Sequence, residues 1–315
     1  MMDILHIVVP CFNEQECLND SALKLKDVLT NLIYENKISK ESKIVFVDDG
    51  SKDKTWEIIK ELNKKEKTFY GVKLSRNKGH QNAVVAGISY SVNHADMIIT
   101  IDADLQDDIN SINEMIDKYH EGNQIVYGVR TSRDTDTSFK RNTANAYYKV
   151  LEKMGVEIIN NHADYRLMSK RVCEEFLKYN ESNLFLRGIV PQLGFKSAIV
   201  GYERKERLAG TSKYPLKKML ALAWNGITSF SLKPLKFISF LGGLITILST
   251  LVTLVFSILF ICNVLKASLA FYILLSIWFV GGLILLMMGL LGEYVGKTYQ
   301  EVKHRPRFII EEVVE

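Results

Sequence analysis

The 315-residue sequence holds only four cysteines, Cys11, Cys17, Cys173 and Cys262. None stands at metal-ligand spacing from another, and four scattered thiols make no disulfide framework, so zinc-ribbon and disulfide-stapled classes are excluded and a reduced, cytoplasm-facing catalytic part is expected. Excess charge is equally scarce: 40 Lys and Arg oppose 36 Asp and Glu, a formal net of +4. No Lys/Arg run with interleaved aromatics occurs, so no nucleic-acid partner is expected. There is no internal repeat and no low-complexity segment. No signal peptide is expected either, because Met1 is followed almost at once by the apolar run Ile4 to Val9.

What is present changes character near Pro234. From Leu235 to Leu265 the chain is apolar apart from Lys236 at its start, Ser, Thr and Asn263, and from Leu269 to Leu291 it is apolar again. Each run exceeds the ~20 residues a helix needs to cross a bilayer, so a two-helix transmembrane hairpin is expected over 233–292, with its turn at Asn263 to Ser268. Lys233 and Lys236 precede the first span and Lys297, Lys303, Arg305 and Arg307 follow the second, against Lys266 alone between them. The positive-inside rule then places both termini, including a tail over 293–315, in the cytoplasm of an integral membrane protein. Lysines and Trp224 beside apolar residues over 214–232 suit an interfacial helix, or equally a surface helix packed on the domain. Gly292 and Gly296 are spaced for close helix approach, within the hairpin or between subunits of a homo-oligomer.

Residues 1–213 read as one catalytic domain in which strand and helix signals alternate. Strand-like runs at Ile4–Pro10, Lys43–Val47, Tyr70–Leu74, Met97–Ile101 and Gln124–Val129 are separated by helical patterns at about Glu14–Glu35, Lys54–Lys65, His80–Val92 and Ile109–Tyr119. That alternation predicts an α/β fold, a mostly parallel Rossmann-like sheet with helices on both faces. Beyond Arg130 the pattern is less regular.

The most informative stretch is Met97-Ile98-Ile99-Thr100-Ile101-Asp102-Ala103-Asp104-Leu105-Gln106-Asp107-Asp108. A buried strand ends in carboxylates, and alternation points Asp102 and Asp104 to one side. Two carboxylates there suit a hard divalent cation with coordination left for a diphosphate. Alone, the stretch is equally an acidic loop capping the next helix. Polar clusters also close the first strand, Val9-Pro10-Cys11-Phe12-Asn13-Glu14, and the second, Val47-Asp48-Asp49-Gly50-Ser51. Separately each is a turn with a helix cap; together on one rim they describe a crevice.

These motifs, with Ser75-Arg76-Asn77-Lys78-Gly79, resemble the ordered motifs of family 2 glycosyltransferases. Gly128-Val129-Arg130, Asp164-Tyr165-Arg166-Leu167-Met168, Arg207-Leu208-Ala209-Gly210-Thr211-Ser212-Lys213-Tyr214 and Gly292-Glu293-Tyr294-Val295-Gly296 are similar to the polyprenyl-phosphate branch, which includes bactoprenol glucosyltransferases and dolichyl-phosphate mannose synthases. The resemblance covers essentially the whole chain. It implies a GT-A-like fold and transfer of one sugar, with inversion, from a nucleotide sugar such as UDP-glucose or a UDP-N-acetylhexosamine to undecaprenyl or another polyprenyl phosphate, for cell-envelope glycosylation. It places the donor against Pro10, Asn13, Glu14, Asp48, Asp49, Ser51, Lys78, Asp102, Ala103, Asp104 and Gln106. Mg²⁺ or Mn²⁺ would sit at Asp102 and Asp104, assisted by Gln106. Asp164 falls where the family keeps an aspartate facing the reaction centre, as a base or a positioning group, or else simply an ion-pair partner of Arg166.

An ionised lipid phosphate needs cationic positioning, and Arg130, Arg141, Arg207 and Lys213 are the candidates, Arg130 best placed after a strand. His80 and His162 lack metal-spaced partners and receive no role. Three other classes compete. A processive polysaccharide synthase usually carries Gln-x-x-Arg-Trp, whereas Gln192 is followed by Leu193-Gly194-Phe195-Lys196. A non-catalytic membrane adaptor would be expected to lose the acidic residues that are all present. A nucleotidyltransferase would open with a glycine-rich motif absent after Val9.

Overall fold

The computed structural model describes residues 2–131, 162–179, 181, 185–203 and 269–315, with eight single positions from Phe240 to Ile258. The chain divides into two units, residues 1–223 with 305–315 and residues 224–304.

The first unit runs β1 (Leu5–Cys11), α1 (Leu18–Tyr34), β2 (Lys43–Asp48), α2 (Thr55–Lys65), β3 (Phe69–Leu74), α3 (His80–Ser91), β4 (Met97–Thr100), α4 (Ser111–His120), β5 (Ile125–Arg130), β6 (His162–Ser169), α5 (Lys170–Leu177), α6 (Leu186–Gln192) and β7 (Ser197–Tyr202). The chain end adds a last strand, β8 (Ile310–Val314). All eight strands form one sheet in the order β7-β5-β6-β4-β1-β2-β3-β8. β1 pairs in parallel with β2 and β4, and β2 with β3. β6 runs antiparallel to both β4 and β5, and β8 closes the β3 edge antiparallel. This is the expected mostly parallel, mixed α/β sheet of GT-A-like type.

Every residue of β1 is buried, as a central strand covered on both faces must be. Leu5, Ile7 and Val9 point into the core formed with Leu18, Ala22, Leu25 and Leu29 of α1 and Ile112 and Met115 of α4. Those α1 positions recur at helical spacing, and each fully buried leucine contributes about 1.5–3 kcal/mol of transfer free energy. Val8 and Val47 face the opposite way, against α3. A Cβ on Gly87 would lie 2.3 Å from Val8 Cγ1 and 2.8 Å from Val47 Cγ2, so the glycine sets how closely α3 lies on the sheet.

In the second unit, α7 (Leu269–Val302) is 34 residues long. It does not stop with the apolar run at Leu291: Glu293 and Lys297 form an i,i+4 pair at 3.7 Å, and the first proline comes only at Pro306. Its segment Phe279–Val302 contains an 18-residue stretch of mean hydropathy 1.8, and α7 is the one helix among the described residues that is long and apolar enough to cross a bilayer. Ile277, Leu286 and Met288 are exposed on it. Of the first expected span, only the eight single positions are described; they have helical backbone. The Asn263–Ser268 connector and residues 214–232 lie outside the described residues.

Candidate active site

The loops after β1, β2, β3 and β4 gather at the C-terminal rim of the parallel strands, where open α/β sheets hold ligands. They are stitched by side chains. Asn13 N–H donates to Ser51 Oγ at 3.0 Å and Lys52 N–H donates to Asn13 Oδ1 at 2.9 Å. Glu14 N–H donates to Thr55 Oγ1 at 2.9 Å. Asn13 takes the left-handed backbone, φ 54°, that asparagine tolerates, and α1 follows at Leu18, whose N–H donates to Glu14 O at 3.1 Å. Asn13, Glu14 and Ser51 thus brace the β1 and β2 loops against each other, and Pro10 is buried near the end of β1.

The adjacent aspartates after β2 do different things. Asp49 accepts from Lys78 N–H at 2.7 Å and Gly79 N–H at 2.8 Å, so both its oxygens hold the β3–α3 loop. Lys78 enters this contact through its backbone. Asp48 is fully buried; Oδ1 accepts from Ser51 N–H at 3.1 Å, and Oδ2 has no partner among the described residues. Burial raises its pKa, opposed by the Ser51 hydrogen bonds. An orphaned buried carboxylate oxygen is costly unless a donor arrives, and a ribose hydroxyl or base N–H supplies one. Gly50 makes the turn possible. It has φ +66°, and a Cβ there would lie 2.6 Å from the backbone of both Arg76 and Asn77.

After β4, Ser21 of α1 pins the acidic loop by donating to Ala103 O at 2.6 Å. Leu105 turns through φ 43°, and Gln106 is buried, its N–H donating to Asp104 Oδ1 at 3.4 Å. The antiparallel register pairs Thr100 with Arg166, so two further residues along each strand bring Asp102 opposite Asp164. Thr100 Oγ1 fixes the approach by donating to Asp164 O at 2.6 Å. His80, the first residue of α3, lies between the two carboxylates, its Nε2 3.5 Å from Asp102 Oδ1 and 3.7 Å from Asp164 Oδ2.

Asp102 keeps 45% of its side-chain surface open at the crevice floor, yet protein surrounds it in most directions. Its pKa is raised by that burial and by the neighbouring charges of Asp107, Asp164 and Asp104, with His80 opposing. Asp164 is the contrary case. Burial alone would raise it, but Arg187, Arg166 and His80 outweigh burial and hold its carboxyl well below the usual range. Arg166 Nη2 lies 2.7 Å from Oδ1, and Arg187 reaches Oδ1 through Nε and Oδ2 through Nη2, both at 3.3 Å. Arg166 is itself buried and also donates to Leu186 O at 3.2 Å. Asp164 is therefore a fixed anion, unsuited to holding a proton at neutral pH.

Arg130 ends β5 as expected. Its Nη2 meets Asp107 Oδ1 at 3.2 Å and its Nε meets Tyr202 OH at 3.4 Å, while Tyr202 OH donates to the same Asp107 oxygen at 2.7 Å. Burial lowers and the Asp107 charge raises the Arg130 pKa, with the rise prevailing. Arg141, Arg207 and Lys213 lie outside the described residues. Sequence reasoning misses His80, Arg187, Asp107 and Tyr202; a histidine opening a helix and an arginine within Phe185-Leu186-Arg187-Gly188 carry no local signal, and only the fold brings His80 to Asp102 and Asp164 and Arg187 to Asp164. Among the described residues, no three His, Cys, Asp or Glu side chains converge as a metal cage.

Residues 6–177 match the model of the glycosyl transferase family 2. The chain is 51% identical to the uncharacterized glycosyltransferase YkoT of Bacillus subtilis, over 98% of this chain and 91% of that protein. It is 36% identical to a prophage bactoprenol glucosyl transferase homolog of Escherichia coli, over 98% and 99% of the two chains, and 37% identical to the bactoprenol glucosyl transferase of Shigella phage SfV, over 97% of each. With a crevice built of these motifs and relatives that span it end to end, the chain belongs to glycosyl transferase family 2 and is a glycosyltransferase.

Proposed function

We propose that the protein moves a single sugar from a nucleoside diphosphate sugar to a polyprenyl phosphate at the cytoplasmic face of a membrane. The observation that carries the reading is the row of carboxylates Asp102, Asp104 and Asp164 at the strand ends, beside the unpartnered oxygen of Asp48. Bactoprenol glucosyl transferases that match nearly the full chain support the lipid acceptor. The apolar helix α7 supports attachment to the membrane, and the second apolar run with the Lys and Arg placement in the sequence supports a hairpin with both termini cytoplasmic.

The donor sets fit a divalent cation. Crowded carboxylates that raise the Asp102 pKa are relieved by positive charge, and hard oxygen ligands suit Mg²⁺ or Mn²⁺. Asp102 and Asp104 would hold the ion, with Gln106 bracing the loop beneath. Such an ion supplies Lewis-acid stabilisation of the charge that develops on the departing diphosphate. Asp48 receives a donor from the nucleoside. Asp164, kept ionised by its two arginines, orients a sugar hydroxyl or the acceptor rather than serving as a base.

The acceptor needs no base. A phosphate monoester has a second pKa of about 6 and is already a nucleophile at neutral pH. One of its oxygens forms the bond to the anomeric carbon as the bond to the nucleoside diphosphate breaks, and a single displacement inverts the centre. Arg130 and Arg187 would receive phosphate oxygens, and Arg141, Arg207 and Lys213 remain candidates from sequence.

The test is nucleoside diphosphate release by protein in lipid nanodiscs. Release from UDP-glucose or a UDP-N-acetylhexosamine should require undecaprenyl phosphate and should stop in EDTA, returning with Mg²⁺ or Mn²⁺. Release in EDTA would remove the cation from the account, and release that ignores the lipid would remove the acceptor.

A further inference from the structure

The loops after β1, β2 and β3 line an open cleft of about 460 Å³ whose walls include Phe12, Ser51, Lys73, Arg76, Asn77 and, from the far end of the chain, Glu311. Such a volume falls within the ~300–1,000 Å³ of small-molecule sites. Glu311 reaches it through an irregularity in the sheet. Lys73 pairs with Glu312 and Leu74 with Ile310, so β8 advances two residues while β3 advances one. Glu311 is the extra residue of that bulge, a device that re-aims a side chain at a sheet edge. Its Oε1 lies 3.2 Å from Lys73 Nζ, 238 positions away in sequence. The strand is firmly seated: Trp56 Nε1 donates to Glu312 at 2.9 Å, Tyr90 OH donates to Glu315 at 2.7 Å, and Ser75 N–H donates to Ile309 O at 3.0 Å.

Building on the nucleotide-sugar reading of the crevice, we propose that Glu311 and Lys73 form the base-reading edge of the donor pocket and select nucleobases that present a carbonyl beside a ring N–H. Both side chains keep part of their surface open, 49% for Glu311 and 25% for Lys73, so neither is saturated by the other. An ammonium has three donors and a carboxylate about four lone-pair sites. Side by side they offer one donor and one acceptor. Uracil matches with O4 and N3–H, and guanine with O6 and N1–H. Cytosine and adenine present the reverse order, an amine beside a bare ring nitrogen, and would set donor against donor and acceptor against acceptor. Leaving such groups unmatched is expected to cost about 10- to 100-fold in affinity.

Calorimetric titration of UDP, GDP, CDP and ADP into the full-length protein in nanodiscs with Mg²⁺ tests this. The wild type should bind UDP or GDP at least about tenfold more tightly than CDP and ADP. Glu311→Ala and Lys73→Met should each shrink that ratio toward one, with β8 still seated as judged by an unchanged Tm. An undiminished ratio in both variants, or a wild-type preference for CDP or ADP, overturns the proposal and leaves the glycosyl-transfer reading standing. Failure of all four nucleotides to bind overturns both.

Discussion

Asp102 and Asp164 face each other across the antiparallel register of β4 and β6, and His80 Nε2 lies within 3.7 Å of both. The two carboxylates share a crevice but titrate in opposite directions, Asp102 upward and Asp164 downward. Environments that drive neighbouring acids apart assign them different tasks. Here the paired acid is a fixed anion, and the crowded one is pushed toward its neutral form.

The two arginines on Asp164 should separate on mutation. Arg166 is buried, so Arg166→Leu leaves Asp164 without its 2.7 Å partner and should destabilise the fold by about 3–5 kcal/mol. Arg187 keeps 36% of its side-chain surface open, so Arg187→Ala should change stability by no more than about 1 kcal/mol. It should nevertheless lower kcat/KM for the lipid phosphate by roughly 10-fold or more, the scale of a lost charge-assisted contact. Denaturant melts and initial rates check this; equal stability losses in the two variants would contradict it.

Gly50→Ala tests the loop packing. The added Cβ meets backbone on the β3–α3 loop at 2.6 Å, and the residue must keep φ +66°. A loss of about 1–3 kcal/mol is expected, together with weaker nucleotide binding because Asp48 and Asp49 flank the same turn. Unchanged melting and binding would mean the loops part without cost.

Acid sensitivity has a distinct source in His6. It lies buried in β1, Nδ1 has no hydrogen-bond partner among the described residues, and burial together with the His94 and Lys43 charges lowers its pKa to about 4. The unfolded chain protonates near pH 6.5 and the folded chain only near 4, so the unfolded state binds more protons between them. Stability from this group is complete above about pH 6.5 and falls as pH drops toward 4, by on the order of 3 kcal/mol. His6→Phe should remove that limb, seen as a smaller Tm difference between about pH 7 and about pH 4.5 than in the wild type.

Topology is open to labelling. In a Cys262→Ser background, Ser268→Cys should react with an impermeant thiol reagent in intact cells, whereas Glu61→Cys, exposed on α2, should react only after lysis. The reverse pattern would overturn the orientation drawn from Lys and Arg placement.

The first five strands and four helices are legible in the sequence because short β-branched runs, such as Val8–Val9 and Ile98–Ile99, alternate with amphipathic helices at regular spacing. The later elements are not. β6 contains a buried arginine, Arg166, whose place in a strand depends on Asp164 beside it. β8 reads as an acidic tail, and becomes a strand only because β3 offers an unpaired edge and Trp56, Lys73 and Tyr90 meet its glutamates. At the rim, Asp102 and Asp104 are recognisable from their place at a strand end. The division between Asp48 and Asp49 is not, because which carboxylate holds the Lys78–Gly79 loop is decided by backbone geometry that adjacent identical residues do not reveal.

The most direct test of the central claim is mass spectrometry of the lipid fraction after incubating the wild-type protein with undecaprenyl phosphate, Mg²⁺ and each UDP-sugar in turn. The account predicts one product, a polyprenyl phosphate bearing a single sugar and labile to mild acid, absent when Asp102 or Asp104 is replaced by Asn. A sugar polymer, or no sugar-bearing lipid with any donor, would contradict it.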